Sequence, residues 1–446
     1  MNLILIKLMK TSKTKNSKLK LVIKIIVVFI ILAILLACGI GGYFLIQSRK
    51  PVFELNGSNV CSVQLNEEYK EQGAYAKYKG EDVSNEVKIT YHHETKDGEV
   101  VDKIKTETET VYFAEYSISI EDWTPNNIFR QINVGTDPIS ITFLELGNFH
   151  TGDSTYIKAG ETDILIDAGS NQSSVSAIET FMNSKMSDKK IEYVIATHAH
   201  MDHIGAFVGN KTTGGILDHY KVGTLIQFSN ITKETEIYKS YASKVETLKA
   251  NGTKVYDAAT LINEKKNVFE LAENISFTVL DQKYYHQASS NENNHSVCTL
   301  FTQGNNNYLF TGDLEADGES SLVDLNPNLP HCQLFKGGHH GSDTANSDKL
   351  LNKITPETVC ICTCVGSDEY RAKPENIFPA QGTCDRIRKH TDKIYCTGSK
   401  IGEEYAPMNG TITFKCENGS DYTVHGSNND TLLVDTDWFK TNRMHT

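Results

Sequence analysis

The chain has 446 residues with 44 Lys+Arg against 56 Asp+Glu, a formal net charge of −12, yet nine of the basic residues and no acidic one fall within residues 1–50. Residues 51–446 therefore carry 35 basic against 56 acidic groups, a charge of −21. Such a body repels phosphate backbones at long range, which excludes a histone-like nonspecific nucleic-acid binder. A hydrophobic content of 39% with only 9 prolines excludes wholesale disorder and a polytopic membrane protein, and the length predicts two or three domains.

Residues 1–24 form a lysine-rich arm, and residues 25–47 (IIVVFIILAILLACGIGGYFLIQ) contain no charge. At ~1.5 Å per residue such a stretch crosses a hydrocarbon core of about 30 Å, which predicts a transmembrane helix. The excess of lysine before it places the arm in the cytoplasm and everything beyond residue 50 outside. A cleavable signal peptide would have a shorter apolar region. Lipidation of Cys38 in Leu35-Leu36-Ala37-Cys38 is the less favoured reading, because apolar sequence continues past that cysteine. Nine further cysteines are too odd a number to pair completely. Cys360, Cys362 and Cys364 alternate along an expected strand, where neighbours ~6.6 Å apart with parallel Cβ vectors bridge poorly, so they are expected as small buried hydrophobes.

Residues 51–136 read as a small all-β module. Hydrophobic residues alternate over Glu86–Tyr91 and at Ala114, Tyr116, Ile118 and Ile120, with turn signals at Lys79-Gly80-Glu81 and Lys96-Asp97-Gly98. Pro51, Tyr69–Ala74, Asp82–Ser84 and Val111–Val134 together resemble bacterial immunoglobulin-like surface modules, which implies a spacer or adhesive role. His92-His93 is expected as a surface strand pair. From residue 139 to 446 strands (Ile139–Leu146, Ser154–Lys158, Asp163–Asp167, Tyr193–Ala196, Tyr308–Thr311) mix with amphipathic helices (Ser173–Lys185, Glu234–Ala250), which predicts an α/β body.

Within that body, Thr197-His198-Ala199-His200-Met201-Asp202-His203 places four metal-binding side chains directly after the apolar strand Ile191–Ala196. A chain that turns at a strand end aims them into one small volume. His198 and His200 suit one divalent cation, and Asp202 and His203 reach a second at the roughly 3.5–4 Å separation of two-metal hydrolases.

This stretch resembles the His-x-His-x-Asp-His signature of the metallo-β-lactamase superfamily. Leu165-Ile166-Asp167-Ala168-Gly169, Leu309-Phe310-Thr311-Gly312-Asp313 and Lys336-Gly337-Gly338-His339-His340-Gly341-Ser342 follow the family's order. Together with Gly152-Asp153-Ser154 and Asn293-Asn294-His295-Ser296-Val297, they are similar to the ComEC-type, competence-related branch. The resemblance implies an αββα sandwich over 139–446 and two divalent cations, with zinc expected and manganese the alternative. It also implies Asp313 as the bridge, Asp167 as a structural carboxylate, Asp153 as a further candidate and one of His339 and His340 as the last ligand. Asp202 and His203 carry the expected catalytic roles, with hydroxide supplied between the cations.

Two departures stand out. The family's third histidine on the first metal falls just before Ser296, where Asn293 or Asn294 stands and His295 is a candidate substitute. Without it, His198, His200, Asp313 and a bridging hydroxide still complete four ligands. The second departure is an insertion, Asn148–Thr151, which brings His150 near the first loop.

The leading expectation is a membrane-anchored extracellular metal-dependent hydrolase acting on a small or polymeric phosphoester or phosphodiester. One alternative is a surface binding or adhesion protein with a silent hydrolase fold. Another is a nuclease linked to DNA uptake, which requires a local basic patch around Lys211, Lys221 or Arg371.

Overall fold

The computed structural model describes residues 50–443, apart from Ser58, Gln64, Glu109, Thr136, Phe149, Asp368, Tyr370, Arg371, Ala372, Gly402, Glu403, Asn418 and Ser420. The basic arm and the span expected over 25–47 lie outside the described residues. Among those described, no helix is long and apolar enough to cross a membrane.

The described chain divides into two compact units. The first comprises residues up to Asn59 with Lys70–Asp102 and Phe113–Arg130. It contains a three-stranded antiparallel sheet of Val52–Leu55, Ala74–Tyr78 and Glu81–Asp82, and a hairpin of Lys88–His93 with Val100–Val101. The strand expected to begin at Glu86 begins at Lys88. Ser84–Glu86 instead forms a 3₁₀ turn in which the Asp82 carboxylate accepts from the Ser84 backbone N–H at 2.9 Å. Arg130 is fully buried in this unit and donates to Glu71 at 2.7 Å and to the Asn56 carbonyl at 2.5 Å.

The second unit holds the described residues from Gln131 onward and two short earlier segments, Val60–Tyr69 and Lys103–Tyr112. Its body is built from two eight-stranded sheets. The first runs in the order Lys254–Asp257, Lys221–Gln227, Lys190–Ala196, Thr162–Ile166, Thr155–Ala159, Ile139–Phe143, Ile412–Cys416, Tyr422–Gly426. The second runs Val268–Ala272, Ile275–Val279, Thr299–Gln303, Asn306–Phe310, Leu334–Lys336, Thr358–Val365, Ile394–Ile401, Glu404–Pro407.

The sheets stack face to face through aromatic contacts: Phe143 on Phe310 at 6.2 Å, Tyr193 on Phe277 at 5.4 Å and Tyr308 on Phe414 at 5.1 Å between ring centroids. Strand alternation sorts neighbours between layers. Tyr308 and Phe310 enter the core between the sheets, whereas Leu309 joins the outer cluster with Leu322, Leu350, Leu351, Ile354 and Ile387 from three covering helices. Tyr241, Val245 and Leu248 of Glu236–Ala250 and Ile178 and Met182 of Val175–Lys185 cover the opposite layer. Each such large side chain fully removed from water contributes about 1.5–3 kcal/mol. Cys360 and Cys362 fill the core between the sheets, and the thiols of Cys298, Cys332, Cys364, Cys384, Cys396 and Cys416 are buried as well. Burial pushes the Cys332, Cys364 and Cys384 thiols up to about 12, so they remain protonated.

Four central parallel strands deliver the chemistry. Thr162–Ile166 pairs in parallel with Lys190–Ala196 in one sheet, and Asn306–Phe310 with Leu334–Lys336 in the other. Asp167, the His198–His203 turn, Asp313 and the His339-His340 pair therefore all follow the carboxyl ends of these strands, where α/β sheets place ligands.

Candidate metal centre

Lys190–Ala196 ends in a short turn, and the helix Met201–Val208 starts immediately with His200 as its N-cap residue. Asp202 lies in the first helical turn, where the positive end of the helix dipole favours a carboxylate. The turn is clamped by backbone bonds to the other motif loops. Asp153 N–H donates to Asp202 O at 3.0 Å, Gly169 N–H to Asp153 O at 2.7 Å, and Ala168 N–H to His203 O at 2.7 Å. Gly169 must be glycine, because a Cβ there would overlap the Asp202 carbonyl.

Asp313 Oδ2 is the hub. It lies 3.1 Å from His203 Nε2, 3.2 Å from His340 Nε2, and 3.9 Å from both His198 Nε2 and His339 Nε2. His203 Nε2 and His340 Nε2 approach each other at 3.3 Å, and Asp202 Oδ2 is 3.5 Å from His340 Nε2. Metal–ligand bonds of ~2.0–2.2 Å in a tetrahedron put donor atoms about 3.4 Å apart, so the facing atoms of His203, His340 and Asp313 are spaced as a divalent cation requires. Buried Asp313 Oδ1 has no hydrogen-bond partner. On the other side of the hub, His198 Nε2 and His200 Nδ1 are 3.0 Å apart.

The far nitrogens of His203, His340 and His198 are tethered, which leaves the facing ones as donors. His203 Nδ1 lies 2.8 Å from Asp167 Oδ2, and the Thr197 N–H and hydroxyl donate to that same carboxylate at 2.8 and 2.7 Å. His340 Nδ1 sits 3.0 Å from the Cys362 carbonyl and 3.2 Å from Asp153 Oδ1. His198 Nδ1 meets Thr197 Oγ1 at 3.1 Å and Ser296 Oγ at 3.4 Å, and Ser296 Oγ also accepts from Asp313 N–H at 3.0 Å.

Asp153, His203, Asp313 and His340 form a buried group whose donor atoms lie within 4.8 Å of one another, able as a set to hold a divalent metal. Within it, Asp153 faces the Nδ1 atoms and is ion-paired with Lys336. It therefore buttresses the imidazoles, and Asp202 reaches His340 Nε2 from the cavity side. Lys336 also reaches the Gly312 carbonyl at 3.3 Å. Burial alone would raise the Asp153 carboxyl, but Lys336 and His340 hold it at about 2. Burial opposes charge on His203 and His340 too, yet Asp313 with Asp167 beside the first, and Asp313 with Asp153 beside the second, hold both well above the usual imidazole range.

The remaining candidates separate clearly. Both His339 and His340 reach the hub, where sequence reasoning expected one of them. Asn293 lines the cavity and its Nδ2 is 3.3 Å from His339 Nε2, whereas Asn294 is used structurally, accepting from the Glu315 N–H at 3.3 Å. His295 is buried with neither ring nitrogen hydrogen-bonded, and it does not line the cavity. His150 pairs with Glu369 at 2.8 Å.

Sequence reasoning assigned no role to Lys336, Asn346 or Glu319. Asn346 receives the Gly338 N–H at 2.7 Å and donates to the Gly338 carbonyl at 3.0 Å, while the buried Glu319 carboxylate accepts the Asn346 and Ser347 N–H groups, both at 2.7 Å. The one signal available was a lysine inside the apolar run Leu334-Phe335-Lys336.

Asp167→Asn is expected to weaken metal binding roughly 10–100-fold, the usual effect of removing an outer partner of a ligand histidine. Competitive metal titration checks this, and an unchanged affinity would exclude the orienting role.

A cavity of about 560 Å³ opens over this cluster, lined by His200, Met201, Asp202, Asn293, Asp313, His339, His340, Ser342, Asp343, Thr344, Asn376 and Phe378.

Residues 147–364 match the family model described as the metallo-beta-lactamase superfamily. The ComE operon protein 3 of Bacillus subtilis (strain 168) is 24% identical over 230 residues, 52% of this chain and 25% of that protein. The competence protein ComA of Neisseria gonorrhoeae is 23% identical over 271 residues, 60% and 32% respectively. Recombination protein 2 of Haemophilus influenzae is 23% identical over 269 residues, 60% and 28%. The chain spans about a quarter to a third of the length of these relatives. Residues 147–364 thus carry the pattern of the metallo-β-lactamase superfamily, and the chain is similar to part of each of these three proteins.

Proposed function

We propose that the protein is a metal-dependent hydrolase that cleaves a phosphodiester or phosphomonoester, with zinc as the native metal and manganese the alternative. The observation that carries this reading is Asp313 Oδ2 at the meeting point of four imidazoles. Bound there, divalent cations would supply Lewis acidity toward the phosphoryl oxygens and acidify the attacking water. Asp202, on the cavity wall, would orient that water through its carboxylate. Ser342, Thr344 and Asn376 present polar groups to the substrate, and Phe378, whose ring centroid is 6.4 Å from those of His339 and His340, gives an apolar wall for an aromatic flank.

No Lys or Arg among the described residues lines the cavity. Phosphate charge must therefore be met by the cations, which favours a compact phosphoester over a long polyanion. The topology that goes with this reading is a single span at residues 25–47 with the remaining chain outside the cell, and an immunoglobulin-like spacer ahead of the hydrolase.

The test is turnover by the full chain, purified in detergent and loaded with zinc or manganese. The substrates are a bis-aryl phosphodiester, an aryl phosphomonoester, single-stranded DNA and a β-lactam. Metal-dependent cleavage of a phosphoester supports the reading, and cleavage of the β-lactam alone refutes it. The name of one relative, competence protein ComA, favours a second reading, a nuclease serving DNA uptake. Cleavage of DNA with affinity that falls steeply with salt would select it.

Metal binding should also release protons. His203 and His340 are held protonated by neighbouring carboxylates, so a cation must displace those protons and its affinity rises with pH through their titration. Calorimetric titration in two buffers of different ionisation enthalpy measures the release, and a value of zero would contradict the protonated resting state.

A further inference from the structure

The first half of the centre has only two imidazoles from the His-x-His turn, and the residue nearest the missing third, Asn293, has an amide that faces a histidine. We infer that His339 supplies this third imidazole, so that His339 and His340, adjacent in sequence, serve the two different cation positions on either side of Asp313. The inference rests on the two-cation reading above.

Three observations carry it. First, His339 Nε2 and His198 Nε2 are each 3.9 Å from Asp313 Oδ2, and His200 Nδ1 is 3.0 Å from His198 Nε2. These spacings lie within about half an ångström of the ~3.4 Å edge of a tetrahedral zinc shell. Second, His339 is tethered as ligand histidines are. Its Nδ1 is 2.9 Å from Thr344 Oγ1, and Glu315 lies 3.7 Å from the same nitrogen, while Nε2 accepts from Asn293 Nδ2 at 3.3 Å, a hydrogen bond that a bound cation would replace.

Third, the backbone is bent to present both rings. His339 (φ 46°, ψ 51°) and His340 (φ 53°, ψ 21°) are consecutive left-handed residues, followed by Gly341 at φ 83°. Non-glycine residues rarely adopt that region and persist in it where the surroundings enforce it. Here the Asn346 bonds to Gly338 and the Ser342 N–H bond to the His339 carbonyl at 2.7 Å enforce it.

The test is metal stoichiometry and affinity, measured by elemental analysis and competitive titration with zinc on the purified full chain. His339→Asn is the preferred variant, because asparagine tolerates a left-handed backbone and is a poor zinc ligand. It should retain one zinc and bind the second at least ~100-fold more weakly, a larger loss than removal of an outer partner causes. His340→Asn should lose the other zinc, and the double variant should bind neither tightly. Asn293→His added to His339→Asn should restore the second equivalent, which a merely structural role for His339 would not allow. Two zinc ions held at unchanged affinity by His339→Asn would overturn the inference and leave the hydrolase reading intact. A wild-type chain that holds one zinc also overturns the inference, and one that holds none overturns both.

Discussion

Asp313→Asn is expected to abolish tight binding of both cations and to lower phosphoester turnover by roughly three orders of magnitude, the equivalent of about 4 kcal/mol of lost transition-state stabilisation. The reason is geometric. One oxygen of this carboxylate lies within 3.9 Å of His198, His203, His339 and His340, so both halves of the centre lose the donor they share when that oxygen becomes part of a neutral amide. The fold should survive, because the change is isosteric and Asp313 N–H keeps its bond to Ser296. Steady-state kinetics beside circular dichroism separates the two effects. Retention of more than about a tenth of the activity in a folded variant would remove Asp313 from its central position.

The largest loss of stability should come from Lys336→Met. Lys336 is 3% exposed, and its ammonium neutralises the equally buried Asp153. Removing one partner of a buried pair strands the other charge and costs about 3–5 kcal/mol. At ~2–4 °C per kcal/mol for domains of this order of size, thermal unfolding should fall by roughly 10 °C. Adding Asp153→Asn should recover part of that loss, since the stranded charge is then removed as well. If the double variant is no more stable than Lys336→Met, the pair is not what holds these loops together.

The same two predictions mark how far the sequence could be read. The His198–His203 turn was legible because four metal-binding types follow one apolar strand within six residues, and local spacing alone brings them together. Asp313 was legible through the Leu309–Asp313 motif, since a strand end in a layered fold must fall near the other strand ends. The roles of His339 and His340 were not. Which ring faces inward depends on two left-handed residues, and that conformation is imposed by Asn346 and Glu319 from outside the motif.

Asp153 was recognised by its motif, but its use as a buttress follows only from the arrival of Lys336 on a distant strand. The shifted strand start at Lys88 has a different cause. Alternation of hydrophobic residues says nothing about the Ser84–Glu86 turn, which a hydrogen bond to Asp82 creates locally. Asn293, expected only as a gap in the ligand set, proves to be the neighbour of a histidine that reaches the same space.

Metal content tests the two-cation centre most directly. Elemental analysis of the full chain, purified without added metal and then dialysed against zinc, should find two divalent cations per chain in the wild type and none held tightly by Asp313→Asn. A wild-type chain that retains no stoichiometric divalent metal would contradict it.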